Sequence, residues 1–388
     1  MIDQVFSNKY YRLMSYIIRE KNTQDELDEI INEKQTLLSQ DFYKVAKEHE
    51  LSSTVYVKLK KKTGIDLGGQ WAIDADETRK RLQFLFSKVE ELGEKLHDAG
   101  ITLVLLKNGG IAIDIMDDLA ECPMGDIDMF CRKDDFLKAH KIILESGFEF
   151  KFRSIYEFED IDTAFADGST EYSIKNGEDV AWVELAWRPV AGRWIRKDRE
   201  PSADELVPNS RKARHSICHV LSNEDNLLQV SIHTAKHSYV RAPGYRLHLD
   251  VDRIVTNNDI DWELFIEKTK KVGSKTAVYF SLFFAKEILG TNIPNDVLSQ
   301  LKPCRRKEKR ILRILYKAGI MNPTQNKFSK LDFLFFQTAL YDSYSDMIAV
   351  LFPPTNELKK KYKFKSMIQL PYFWSVYALD LIGIRKSK

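Results

Sequence analysis

Apolar residues in the N-terminal part of the chain recur every three or four positions, as they do on one face of a helix. Residues 1–62 are therefore expected to be helical, and residues 77–97 to form an amphipathic helix with Asp76 as its N-cap. A loop rich in glycine and aspartate, at 63–70, separates the two segments. The pattern is carried by Leu27, Ile30, Ile31, Val45, Leu51, Val55, Leu59, Leu82, Leu85, Val89, Leu92 and Leu96.

Short apolar runs replace this pattern between residues 101 and 187, which predicts strands. Strands are expected at 101–106, 126–131, 148–153, 171–175 and 180–187, and helices at 111–119 and 134–145. Gly147 suits the C′ position after the second of these helices, because glycine adopts a left-handed conformation without strain. This part of the chain is expected to form one compact α/β unit.

Helical spacing returns after Ser222. Helices are expected at 223–238, 246–256, 261–272, 275–289 and 305–318, with at least one more between 331 and 350. The fold class is therefore α+β, a small mixed sheet inside a mostly helical chain. The expected domains are a helical N-terminal region at 1–97, an α/β core at 98–215 and a helical C-terminal domain at 216–388.

Composition narrows the class of protein. The chain has 388 residues, 44% of them hydrophobic and 30% charged, as in a globular protein that buries a core. Its 59 basic and 57 acidic residues nearly cancel, which argues against a purely electrostatic nucleic-acid binder. The four cysteines form no CxxC pair, and neither a signal-peptide pattern nor a membrane-spanning run is evident, so a cytoplasmic location is expected.

The most informative residues are two aspartates in the strand expected at 126–131. Side chains alternate across a strand, so Asp126 and Asp128 face one side and form a chelating pair for a hard divalent cation. Two carboxylates this close repel each other unless a cation neutralises them. Glu184 is expected to be the third carboxylate, because we interpret it as the only acid inside a later run of strand-forming residues.

A glycine pair precedes these aspartates. Gly109 and Gly110 follow Lys107-Asn108 between an expected strand and an expected helix, where free backbone N–H groups and the helix dipole can bind a triphosphate. A valine at position 110 is expected to block the approach of phosphates without disturbing the fold.

The alternative to a functional site is a solvated turn, which is the common interpretation of an isolated DxD or GG. The combination of a strand, the glycines, a helix, the DxD and a later strand glutamate argues against a turn. A second copy, Gly68-Gly69 followed by Asp74-Ala75-Asp76, serves as an internal comparison. It leaves no room for a helix between its elements, so it is interpreted as a loop and an N-cap.

These motifs resemble a bacterial family of uncharacterised nucleotidyltransferases in the polymerase-beta-like superfamily. The resemblance lies in LVLLKNGGIAIDIM at 103–116, CPMGDIDMFC at 122–131 and VELAWRP at 183–189. It continues through RLHLDVDRIV and DWELF to LFPPTNELKKKY, over roughly residues 40–365, with GDID as its most specific part. Cys122 departs from the family pattern, which has an arginine there, and Asn108 interrupts the family's Lys-Gly step.

The resemblance implies a polymerase-beta-like core that transfers a nucleoside monophosphate from an NTP, ATP by default, to an acceptor. Asp126, Asp128 and Glu184 would be the catalytic residues and the ligands of Mg²⁺ or Mn²⁺, with two ions expected. The acceptor stays open between a small molecule, a protein side chain and an RNA end. The expected nucleotide contacts are Lys107, Gly109, Gly110, Gly125, Arg188, Lys236 and His237.

Two other functions are kept as alternatives. A nucleotide-binding scaffold without catalysis would need the glycines but not all three carboxylates. A zinc hydrolase could use His233 and His237, which have helical i, i+4 spacing but lack the glutamate of HExxH. The basic clusters at 305–310 and 359–365 are interpreted as solvated helix faces or as surfaces that steer an anionic acceptor.

Overall fold

The structure is a computed structural model. It describes residues 6–151, 161–177, 179–189, 195, 198–237, 245–319, 328–352 and 355–381.

Twenty α-helices lie in these described ranges, in an α+β arrangement that confirms the expected fold class. They are α1 Lys9–Ile18, α2 Gln24–Asn32, α3 Lys34–Leu37, α4 Gln40–Glu48, α5 Ser52–Thr63, α6 Gly69–Asp98, α7 Lys107–Ile115, α8 Phe136–Glu145, α9 Ile161–Asp167, α10 Ala203–Leu206, α11 Asn223–His237, α12 Tyr245–Asn257, α13 Trp262–Val272, α14 Lys275–Leu289, α15 Asn295–Leu301, α16 Arg305–Ala318, α17 Lys330–Ala339, α18 Tyr344–Leu351, α19 Thr355–Tyr362 and α20 Leu370–Leu381.

A mixed sheet forms the centre of the fold, with strand order β3-β4-β5-β2-β1-β7-β6. The strands are β1 Val104–Leu105, β2 Asp126–Phe130, β3 Glu149–Lys151, β4 Ser169–Asn176, β5 Asp179–Ala186, β6 Arg211–Lys212 and β7 His219–Val220. β2 is parallel to β5 and antiparallel to β1. The two-residue strands β6 and β7 were not expected, because so short a pair has no recognisable alternation.

The two faces of the sheet are covered differently. Ile127, Met129 and Val183 face the main hydrophobic core, which the long helix α6 and helix α8 help to cover. On the opposite face, Phe130 and Ala186 belong to a second, smaller core with residues of α10. Asp126, Asp128 and Glu184 lie on this second face, because residues two apart in a strand share a face.

The helix expected at 77–97 begins earlier than expected, at Gly69. Asp76 is therefore inside the helix, where it pairs with Lys80 at 2.8 Å, and the N-cap assignment is wrong. Asp74 of the same glycine–aspartate copy is buried and accepts hydrogen bonds from Ser52 at 2.6 Å and Tyr43 at 3.0 Å. Gly68 is the N-cap of this helix and Gly69 is its first residue, and both have positive φ.

The other elements agree with expectation to within a few residues. Gly147 has φ +88° and follows α8 in the C′ position, as its place in the sequence predicts. The main core contains residues from all three expected domains, so burial does not divide the chain at 97 and 215, and these boundaries stay a prediction. Within the described residues, no helix combines the length and the apolar character needed to cross a membrane.

Candidate active site

The in-register pairing of β2 with β5 brings the three expected carboxylates onto one face. Asp126 is paired with Trp182 and Asp128 with Glu184, and paired residues of adjacent strands point the same way. Asp126 is exposed, Asp128 is half-buried and Glu184 is buried. The aspartates and the glutamate therefore share a face, as the alternation predicts, and their burial increases along the strands toward the small core.

Lys107, at the start of α7, places its ammonium among these carboxylates. Its Nζ lies 2.6 Å from Oδ1 of Asp128, and the two side chains are 26% and 17% exposed. Burial lowers the pKa of Lys107, but the nearby charges of Asp128, Glu184 and Asp126 outweigh burial and hold that pKa above its ordinary value. The group therefore contains one basic side chain and three acidic ones.

Asp126 lies at the edge of this group. Although its side chain is exposed, the surrounding protein removes part of its hydration, and this desolvation raises the pKa of Asp126. The negative charges of Asp128 and Glu171 raise it further, while Lys107 acts in the opposite direction. Both effects disfavour the ionised carboxylate, so a further cation would be stabilised beside Asp126.

Whether this group fits a divalent metal depends on the charge of its side chains and on how closely the three carboxylates approach one another. The charge fits, because three carboxylates act electrostatically on one ammonium cation. Among the residues that the structure describes, however, no three Asp, Glu, His or Cys side chains converge closely enough to be metal ligands. The ammonium of Lys107 occupies one Asp128 oxygen, so a metal would have to displace it. The roles of Asp126, Asp128 and Glu184 as ligands stay a prediction.

The glycine pair packs against the sheet more tightly than the sequence suggests. A Cβ on Gly110 would lie 2.6 Å from the main-chain oxygen of Leu105, and one on Gly109 would lie 3.0 Å from Cγ2 of Ile127. The N–H of Gly110 donates to the oxygen of Leu106 at 3.2 Å. The expectation of a free N–H at Gly110 is therefore wrong, and so is the expectation that valine there would spare the fold.

The N–H groups available at this helix start are those of the first three residues, Lys107, Asn108 and Gly109, which have no acceptor within the helix. Lys107 has φ +52°, in the left-handed region. A non-glycine residue in this conformation costs about 1–3 kcal/mol, and it persists only where its surroundings hold it. The turn that carries the lysine is thus strained and has to be held by other contacts.

An open cleft of about 350 Å³ adjoins Asp126. It is lined by Gly125, Asp126, Glu171, Trp182 and Val183, and the Trp182 side chain is 39% exposed. Glu171 of β4 is paired directly with Glu184, so it lies on the same face. The expectation that Glu184 is the only downstream acid in a strand is therefore wrong. The sequence does carry a signal for it, because apolar Tyr172 and Ile174 alternate with polar residues along β4 and so place Glu171 on the opposite face.

Arg188, another expected nucleotide contact, is paired with Glu200. Its Nη2 and Nε donate to one oxygen of Glu200 at 2.7 and 2.9 Å, and both side chains are largely buried. The two residues line a separate cleft of about 240 Å³. The expected contact of Arg188 with the nucleotide stays a prediction. Gly125, by contrast, lines the cleft beside Asp126, with nothing within 4 Å of the Cβ that it lacks.

Helix α11 carries the remaining expected contacts. Thr234 donates to the main-chain oxygen of Leu247 at 3.0 Å, so the end of α11 lies beside the start of α12. The rings of His233 and His237 lie 4.6 Å apart. The side chain of Lys236 is outside the described residues. No third ligand accompanies the two histidines among the described residues, so the zinc alternative gains no support from the structure.

The basic cluster at 305–310 is partly engaged within the protein. Lys307 donates to Oγ1 of Thr276 at 2.9 Å, and the Arg310 guanidinium lies 5.6 Å from the centre of the Phe335 ring. Arg305, Arg306 and Lys309 are exposed, which agrees with a solvated helix face.

A family model described as uncharacterised nucleotidyltransferase matches residues 37–290, well over half of the chain. The matched segment includes α4 to α14, hence the whole sheet and the carboxylate face. No curated protein and no solved structure gives a significant match to the chain.

Proposed function

The chain belongs to the uncharacterised nucleotidyltransferase family, and we propose that it transfers a nucleoside monophosphate from an NTP to an acceptor hydroxyl. The observation that supports the proposal most is the pairing of Asp128 with Glu184, with Asp126 on the same face and the Lys107 ammonium among them. A carboxylate cluster beside a helix N-terminus supports the proposal, because phosphoryl-transfer sites combine carboxylates that hold cations with a helix start that holds phosphates.

Asp126, Asp128 and Glu184 would hold Mg²⁺ or Mn²⁺, in one or two ions. When bound, such ions neutralise the charge of the phosphates and stabilise the leaving pyrophosphate. The Lys107 ammonium would move from Asp128 to the phosphates as the cation arrives, since its four-carbon side chain allows it to reach either partner.

The start of α7 would orient the triphosphate. The N–H groups of Asn108 and Gly109 point along the helix axis, and the helix dipole favours an anion there. Gly110 contributes by packing, because its missing side chain lets the helix start lie directly against the oxygen of Leu105. ATP is the default NTP of this proposal.

The acceptor would enter on the Trp182 side of Asp126, away from the phosphate end. Its hydroxyl oxygen forms a bond to the α-phosphorus while the bond from that phosphorus to the bridging oxygen breaks. Glu184, which is paired with Asp128, would accept the hydroxyl proton, and pyrophosphate would leave with the electrons of the broken bond. The products are a nucleotidylated acceptor and pyrophosphate.

The test uses NTPs labelled with ³²P at either the α or the γ phosphate, incubated with the protein, Mg²⁺ or Mn²⁺ and candidate acceptors from a cell extract. Nucleotidyl transfer puts the α label on the acceptor and releases the γ label as pyrophosphate. Transfer of the γ label to an acceptor would instead identify a kinase and refute the proposal.

The key variant is Asp128→Asn, which keeps the size of the side chain and removes its charge. We expect labelling to fall by several orders of magnitude, on the order of the ~10³-fold effect that loss of one transition-state contact has elsewhere. Asp76→Asn is the matched control, because Asp76 is the corresponding aspartate of the second glycine–aspartate copy and lies on an exposed helix face. Full labelling by Asp128→Asn would exclude the mechanism. Nucleotide binding by the wild type without any transfer would favour the scaffold alternative.

A further inference from the structure

A buried polar cluster joins helix α12 to the turn that carries Lys107. The carboxylate of Asp250 is 2% exposed, and the amide of Asn108 lies 2.5 and 3.2 Å from its two oxygens. We assign the Asn108 amide with its nitrogen toward the carboxylate, because only in this orientation can Asn108 donate to both oxygens of Asp250. Asn108 therefore donates to Asp250 in a charge-assisted contact, which is stronger than a contact between neutral groups.

Asp250 is itself held by neighbours on both sides. Nη1 of Arg253 donates to Asp250 at 3.0 Å and lies 3.5 Å from Sγ of Cys122, and Nη2 donates to the main-chain oxygen of Glu121. Arg253 is 1% exposed. Burial raises the pKa of Asp250, and this guanidinium offsets part of that desolvation and holds the carboxylate in place.

Asn108 is anchored from its other side as well. Burial raises the pKa of Cys122 to about 11, so its thiol is protonated near neutral pH, and its Sγ lies 3.8 Å from the main-chain oxygen of Asn108. The residue that departs from the family arginine thus contacts both the turn and Arg253. Side chain and backbone of Asn108 are each fixed by a buried partner.

We propose that Asp250 is a positioning residue that acts through Asn108 to hold Lys107 among the carboxylates. Lys107 has φ +52°, a conformation that its own side chain disfavours and that its surroundings have to impose. Asn108 is the next residue, and its anchor on α12 supplies that constraint. The helical region after the sheet thereby sets the position of the ammonium that meets Asp128. The functional consequence rests on the proposed nucleotidyl transfer, whereas the positioning itself does not.

The experiment measures how fast the Lys107 amine reacts with acetic anhydride, by mass spectrometry, in the intact protein without nucleotide. Lys268 is the internal reference, because its side chain is 18% exposed and pairs with Asp225 at 2.7 Å, a close match to Lys107. The variants are Asp250→Ala, Asn108→Ala and the combination of both.

We expect each single variant to raise the labelling of Lys107 relative to Lys268 by about threefold or more, because a locally released turn exposes the amine. The combined variant should react no faster than the faster single variant, since both changes break one contact. If Asp250→Ala fails to fold, Asn108→Ala decides alone, because it leaves the ion pair of Asp250 with Arg253 intact.

Unchanged Lys107 labelling in Asn108→Ala would overturn the proposal. A parallel rise at Lys107 and Lys268 would show general loosening and would overturn it too. The affinity of a fluorescent non-hydrolysable ATP analogue is measured alongside. Wild-type protein that binds no nucleotide, together with the expected labelling, would refute the proposed function but leave Asp250 as the positioning residue.

Discussion

Replacement of Lys107 by methionine tests whether its ammonium occupies the place of a metal ion. The change keeps a long side chain and removes a positive charge 2.6 Å from an oxygen of Asp128. Asp126, Asp128 and Glu184 are then left without a local counter-ion. We expect Lys107→Met to bind Mn²⁺ more tightly than the wild type and nucleotide more weakly.

The magnitude follows from the geometry. Two unit charges about 4 Å apart interact by roughly 4 kcal/mol at an effective dielectric constant of about 20, and a divalent ion would experience about twice this repulsion from a fixed ammonium. The lysine side chain can move away into solvent, which removes most of the repulsion. A remainder of about 1.4 kcal/mol corresponds to about tenfold tighter Mn²⁺ binding in the variant.

The assay is Mn²⁺ binding followed by electron paramagnetic resonance, first without nucleotide and then with the fluorescent ATP analogue. Lys88→Met is the matched control, because Lys88 is 24% exposed and also forms an ion pair, with Glu91 at 2.8 Å on α6. Mn²⁺ affinity of Lys107→Met that equals or falls below that of the wild type would refute the idea that lysine and metal compete. Unchanged nucleotide affinity would remove Lys107 from the phosphate site.

Two further predictions concern stability. Gly110→Ala should lower the free energy of unfolding by about 1–3 kcal/mol, because the added Cβ would lie 2.6 Å from a main-chain oxygen. Gly125→Ala is the control and should change that free energy by less than about 0.5 kcal/mol, because nothing lies within 4 Å of the added Cβ. Equal urea midpoints for the two variants would contradict the close packing of Gly110. Lys62→Met should cost about 2 kcal/mol, because Nζ donates to Asn22 at 2.5 Å and to main-chain oxygens at the end of α1. Lys61 is exposed, so Lys61→Met should leave the melting temperature nearly unchanged. Equal losses of thermal stability in the two variants would refute the role of Lys62 in capping the end of α1.

The face shared by Asp126 and Asp128 could be predicted from the sequence, because alternation along a strand is a local property of the backbone. The helical character of both ends and the mixed α+β class could be predicted for the same reason, since the spacing of apolar residues records which face is buried. The start of α6 could not, because Gly68 and Gly69 are compatible with either a loop or a helix start. The burial of Asp74 by Ser52 and Tyr43 involves residues of other helices.

What only the tertiary structure decided is how the separate pieces meet. Glu184 lies beside Asp128 because β5 pairs with β2, a strand more than forty residues earlier in the chain. Glu171 lies beside Glu184 because β4 and β5 form a hairpin with a particular register. The close approach of Gly110 to Leu105 makes Gly110 a packing residue, so the N–H groups that remain for an anion are the first ones of α7. The position of the Lys107 ammonium, and the Asp250 carboxylate behind its turn, likewise depend on contacts between distant segments, which no local pattern of residues encodes.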